Sequence, residues 1–215
     1  MSFLSQLKSQ ASALQQQQHG LVQTFEASTA QTETACQTAW SYLSDLARQL
    51  NVIEPQGPGF TLDGKTPWPT MKLTHFRADC RKKRLRDREV FDYIAVGWQI
   101  VPQHGLPVGG SVSANFPPDL QRIEKRLAEG HVKHERIEVR HPEKNSLLAL
   151  RFDYTTEARG SVTVTADHDT AKLIFRVANA SGFGVTTSDW VAGQVQTNLL
   201  DELAKMIVAQ PHRFA

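Results

Sequence analysis

The sequence predicts an α+β protein. A long N-terminal helical segment should lead into an antiparallel sheet of about six strands, covered by a short internal helix and a C-terminal helix. Three observations predict this class. Apolar residues recur at heptad spacing through the first 50 residues, the period shifts to strand-like alternation from about Met71, and turn-forming clusters divide the alternating stretches at hairpin length. With 215 residues, 40% hydrophobic and 21% charged, the chain can bury a sizeable core without a metal or disulfide staple. The layout reads as a helical arm over 1–54, a connector over 55–69 and an α+β body over 70–215.

The arm comes first. Residues 1–50 hold no proline, one glycine (Gly20) and five formal charges: Lys8, Glu26, Glu33, Asp45 and Arg48. Leu4, Leu7, Ala11, Leu14, Gln18, Leu21 and Phe25 step alternately by three and four, a coiled-coil seam. Cys36, Trp40, Leu43, Ala47 and Leu50 form a second seam out of phase with the first. The pattern fits one rod or a hairpin turning at Gly20, because glycine just past a helix end is a favoured stop. Sparsely charged seams of this kind must pack on something, either the body or a partner.

Pro55, Pro58, Pro67 and Pro69, with Gly57, Gly59 and Gly64, break regular structure after the arm. A strand over about 71–82 should pair as a hairpin with a strand from Val90 to Val101, whose apolar residues on both faces suit a central position. Pro117 opens a helix carrying Leu120, Ile123 and Leu127, and Gly130 closes it. Strands are expected near 132–140, 147–155, 160–166 and 171–178, with turns at 157–160 and 167–170. Ser188 or Asp189 should cap a last helix whose apolar face is Trp190, Val195, Leu199, Leu203 and Ile207. A curved sheet wrapped around that helix is the economical arrangement.

Charge is unevenly spread. Residues 72–88 carry eight basic side chains against Asp79 and Asp87, although the whole chain is only +2. Arg81, Lys82, Lys83, Arg84, Arg86 and Arg88 are therefore anion-binding candidates, for nucleic acid, a nucleotide or anionic lipid. Against this stands a solvated hairpin whose charges pair with acidic groups elsewhere, and few aromatic residues are near to stack bases. Nucleic acid is the less favoured partner.

Other chemistry is thin. His131, His134 and His141 have a spacing that suits a zinc site poorly on a strand. Asp167-His168-Asp169 reads as a turn, and the glycine pairs at 109–110 and 182–184, which lack the rest of a nucleotide-binding fingerprint, read as loops. No nucleophile motif occurs. No catalytic residue, metal or cofactor is assigned. If sheet and last helix enclose a cavity that binds, or as an enzyme transforms, a small apolar or anionic molecule, Trp98, Phe152, Phe175 and Trp190 should lie near it. Two widely spaced cysteines, no apolar run long enough to span a bilayer and no leader-like N-terminus point to a cytoplasmic protein. The expected function is non-catalytic binding, with self-association or partner binding through Leu4, Leu7, Leu14, Leu21 and Phe25.

Overall fold

The computed structural model describes the backbone of residues 3–214 and the side chains of residues 8, 10, 12, 14, 15 and 22–214. Helix α1 runs unbroken over Phe3–Ile53, so the rod is the arrangement adopted and Gly20 does not turn it. Then come β1 (Met71–Leu85), β2 (Arg88–Pro102), β3 (Gly109–Ala114), α2 (Pro117–Glu129), β4 (His134–Arg140) and β5 (Leu147–Thr155). After them follow β6 (Ala158–Asp167), β7 (Lys172–Ala178), β8 (Val185–Val191), a 3-10 turn at Ala192–Gln194 and α3 (Thr197–Ile207). The architecture is α+β as the sequence predicts.

The described strands number eight and form two antiparallel sheets, of order β1-β2-β6-β7-β8 and β3-β5-β4. Three sequence expectations are corrected. The last helix starts at Thr197, because 185–191 pairs with β7 as an edge strand, Asp189 opposite Ile174 and Trp190 opposite Leu173. Residues 157–160 are not a hairpin turn: β5 and β6 belong to different sheets, and Ala158 and Gly160 pair with β2. Gly109 and Gly110 lie within β3, opposite Thr155 and Tyr154, where a side chain on Gly110 would meet the Tyr154 ring at 2.5 Å.

One face of the five-stranded sheet is apolar and carries α1 and α3. Ile94, Val96 and Ile100 of β2, Val162 and Val164 of β6, and Leu173 and Phe175 of β7 are all buried there. From α1 come Ala35, Cys36, Ala39, Leu43, Ala47 and Leu50, three of them alanines that let the helix approach closely. From α3 come Leu200, Leu203, Met206 and Ile207, and Phe214 closes the end edge-on to Phe175, ring centres 5.4 Å apart. The segment 55–69 contributes to the core as well: Phe60, Leu62 and Trp68 are buried, with Trp68 stacked on Tyr154 at 5.7 Å.

Polar side chains of α1 stitch it to the edge hairpin where that hairpin is irregular. The β1–β2 ladder slips between Thr74 and Arg77, with His75 in left-handed backbone at φ 53°. The slip frees the backbone of Phe76. Asn51 meets both groups, its amide donating to the Phe76 carbonyl at 2.9 Å and its oxygen accepting the Phe76 N–H at 2.7 Å. A second slip lies at Arg81/Lys82, and nearby the Phe91 N–H donates to Glu33 Oε1 at 2.8 Å. Glu54 takes Lys72 Nζ at 2.5 Å and the Thr74 hydroxyl at 2.6 Å. Buried backbone groups need partners, so these contacts fix the helix in register on the sheet.

Candidate functional site

The basic hairpin is the first sequence-nominated surface. All six candidates face carboxylates: Arg81 and Lys83 both reach Asp92 (3.9 and 3.0 Å), and Lys82 reaches Glu89 (3.9 Å). Arg84 reaches Asp87 (2.9 Å), Arg86 pairs with Asp169, and Arg88 lies 3.8 Å from Glu26. Lys82 also sits 5.3 Å over the Phe91 ring and Arg86 4.3 Å over Phe25. The charge run is thus neutralised locally and used in part to clasp α1.

Among the described residues, that clasp is the most N-terminal contact of α1 with the body. Val22, Phe25, Glu26 and Thr29 of α1 and Leu85, Arg86 and Arg88 of the hairpin tip bound a cleft of about 280 Å³. Among residues whose side chains are described, none before Thr29 is buried, whereas from Thr29 to Leu50 every turn contributes a buried residue. Leu14 is 60% exposed, Val22 53% exposed and Phe25 half-buried against Arg86. The side chains of Leu4, Leu7 and Leu21 lie outside the described residues. Length makes projection unavoidable. At 1.5 Å per residue the 51-residue helix is about 76 Å long. A compact body formed by the rest of the chain is only about 40 Å across.

The four aromatic residues nominated for a cavity are not gathered around one. Trp98 (3% exposed) stacks on Phe76 at 5.5 Å, and Phe175 is fully buried against Phe214. Phe152 is buried on the other sheet, and Trp190 sits on the edge strand with Phe214 6.0 Å away. Cys36 is buried in the α1 seam, and burial pushes its thiol up to about 12, which removes it as a nucleophile. At 167–170 the Asp167 carboxylate accepts the N–H groups of Asp169 and Thr170 and the Thr170 hydroxyl, the turn the sequence suggests.

Sequence reasoning missed a groove of about 760 Å³ on the sheet face opposite α1 and α3. Its floor holds the short residues Ala95 and Gly97 of β2, Ser161 of β6 and Ala178 of β7, with the longer Gln99 of β2 beside them. Arg77, Arg159 and Arg176 stand around that floor, with His75 and, from the end of α2, His131. The cross-strand register places Gly97 between Arg77 and Ser161, sets Ser161 opposite Ala178 and puts Arg176 opposite Thr163. Parity gives the signal that could have found it. Once the turn at 167–170 is fixed, Arg159, Ser161 and Thr163 share a face with Arg176 and Ala178.

No family model, no curated protein and no solved structure matches this chain.

Proposed function

We propose that this chain is a non-catalytic binding module that self-associates through the free part of helix α1. The observation that carries the reading is the break in burial at Thr29: the body buries the helix from there onward, and among the described residues before it none is buried, Leu14 and Val22 included. An isolated helix of that length and composition is marginal in water, so it gains stability by burying its seam against another helix. The heptad seam Leu4, Leu7, Ala11, Leu14 and Leu21 is complementary to a second copy of itself, while Phe25 at its end is covered by Arg86. Lys8 is the only formal charge in the first 25 residues, so like copies meet little repulsion and an oppositely charged partner finds little to grip. Gln18 at a seam position would fix the register of the pair at some cost in stability.

The two free cysteines suit a reducing, cytoplasmic setting for this module. No described helix is long and apolar enough to cross a membrane.

Removing residues 1–24 tests the reading without touching the core. The shortened chain should keep its cooperative unfolding and far-UV circular dichroism per residue while sedimenting as a monomer. A full-length protein that is already monomeric at tens of micromolar would overturn the proposal.

A further inference from the structure

We infer that the open face of the five-stranded sheet binds a compact ligand bearing a phosphate group, held by Arg77, Arg159 and Arg176. The argument begins with which arginines lack partners. Within the eight strands, Arg81, Arg84, Arg88, Arg136, Arg140 and Arg151 each lie within 2.6 to 3.9 Å of a carboxylate. Among the described residues, Arg77, Arg159 and Arg176 are the strand arginines with no ion pair and no side-chain hydrogen bond, and all three line one groove. Chance pairing does not collect every unpaired strand arginine on one surface of a chain whose net charge is only +2.

The floor beneath them is made for an occupant. Strands lie about 4.8 Å apart, so Arg77 on β1 and Arg176 on β7 stand about 14 Å apart across the hydrogen-bonding direction. Two long guanidinium side chains can lean inwards over that span from opposite sides, while Arg159 enters from β6. Along the row from Arg77 through Gly97 and Ser161 to Ala178 nothing rises higher than the Ser161 hydroxyl, and Gln99 stands beside that row opposite Arg159. Gly97 leaves the centre lowest, since a methyl group there would meet no atom closer than the Gly160 carbonyl oxygen at 3.9 Å. Trp98 points the other way, its ring buried over Gly160 on the helix-covered face, so the floor is backed by packed core.

Two further features point the same way. His75 and His131 also line the groove, and an imidazole N–H can donate to a phosphate oxygen. The carboxylates present, Asp79 and Glu129, are already occupied in part: Asp79 Oδ1 accepts the Cys80 N–H at 2.9 Å, and Glu129 lies 3.8 Å from Lys125. Neither pairs with the arginines.

The chemistry selects the ligand. Guanidinium groups arriving from three directions match a tetrahedral oxyanion with three acceptor oxygens better than a planar carboxylate with two. A groove of this volume takes a phosphate with a small organic body attached. A nucleic-acid strand fits less well. The floor presents no aromatic face for stacking, as Trp98 is only 3% exposed, and the end of α2 closes one side.

Calorimetric titration of the full-length protein with inorganic phosphate, pyrophosphate and a 20-nucleotide single strand, at constant ionic strength, tests the site. Saturable one-to-one binding of pyrophosphate is expected, weakened at least 10-fold in the R159Q/R176Q double variant. R84Q, at the 79%-exposed hairpin tip, should bind as the parent does. Because Arg159 and Arg176 are exposed and unpaired, the double variant should unfold at the parent's temperature without ligand. Absence of saturable binding, or an equal loss in R84Q, would overturn the inference. So would tight binding of the single strand that pyrophosphate fails to displace, which would make the groove a nucleic-acid surface.

Discussion

Leu43→Ala is the sharpest probe of whether α1 is part of the body or merely attached to it. Leu43 is 0% exposed and sits mid-helix over the sheet, flanked one turn away by the buried Ala39 and Ala47. Those alanines have no side chain with which to fill a void, so the site cannot collapse easily. Leu-to-Ala truncation in such a setting costs about 3–5 kcal/mol. For a domain of this size each kcal/mol lowers the melting temperature by about 2–4 °C, giving a drop of at least about 6 °C. Gln49→Ala, on the exposed side of the same helix, is the control and should stay within about 0.5 kcal/mol of the parent. Urea unfolding followed by tryptophan fluorescence reports both, with the slope of the transition unchanged. If Leu43→Ala fell within 1 kcal/mol of the parent, residues 29–50 would not be core, and dividing the helix at Thr29 would be wrong.

Other consequences are equally direct. Asn179 is 1% exposed at φ 60°, donates to the carbonyls of Glu129 (2.8 Å) and Arg159 (2.7 Å), and accepts the Gly184 N–H (3.1 Å). Asn179→Ala should cost about 2–4 kcal/mol in chemical unfolding, because it leaves buried backbone groups unpaired in a conformation alanine disfavours. A thiol reagent should modify one cysteine per native chain, the half-buried Cys80, and reach Cys36 only after denaturation. At Asp63 burial pushes the carboxyl up, but the N–H groups of Thr66 and Lys65 and the hydroxyls of Thr66 and Thr61 outweigh it. They hold the carboxyl well below the usual carboxylate range. A depressed folded-state value contributes stability above about pH 4 and loses it as pH falls further. Asp63→Asn should therefore be less stable than the parent at pH 7, by about 1 kcal/mol, with the gap closing under acid unfolding below pH 4.

Much of the fold was legible because single segments carried their own signal. Val162, Val164 and Ala166 alternate with polar residues and form β6, and Pro117 and Gly130 bracket α2. The strand at 185–191 was hidden for a physical reason. Ser188 and Asp189 resemble helix caps, and Trp190, Val195 and Leu199 can be fitted to helical spacing, whereas the ladder to β7 that decides the matter lies outside the segment. Six-residue β3, built of glycine, serine and alanine around Val112, offers almost no local preference.

Site residues followed the same division. Arg81 to Arg88 stand out as a run in the sequence, yet pairing with Glu26, Asp92 and Asp169 is set by tertiary contact. Arg159 and Arg176 look ordinary in isolation. Their meaning arises from strand order, which brings β1, β6 and β7 onto one open face.

Native mass spectrometry of the full-length protein beside Leu14→Asp tests the central claim most directly, because Leu14 is a seam residue 60% exposed to solvent. The account predicts a dimer at twice the 24.0 kDa chain mass for the parent and a folded monomer for the variant. A parent that is monomeric, or a variant that remains dimeric, would contradict it.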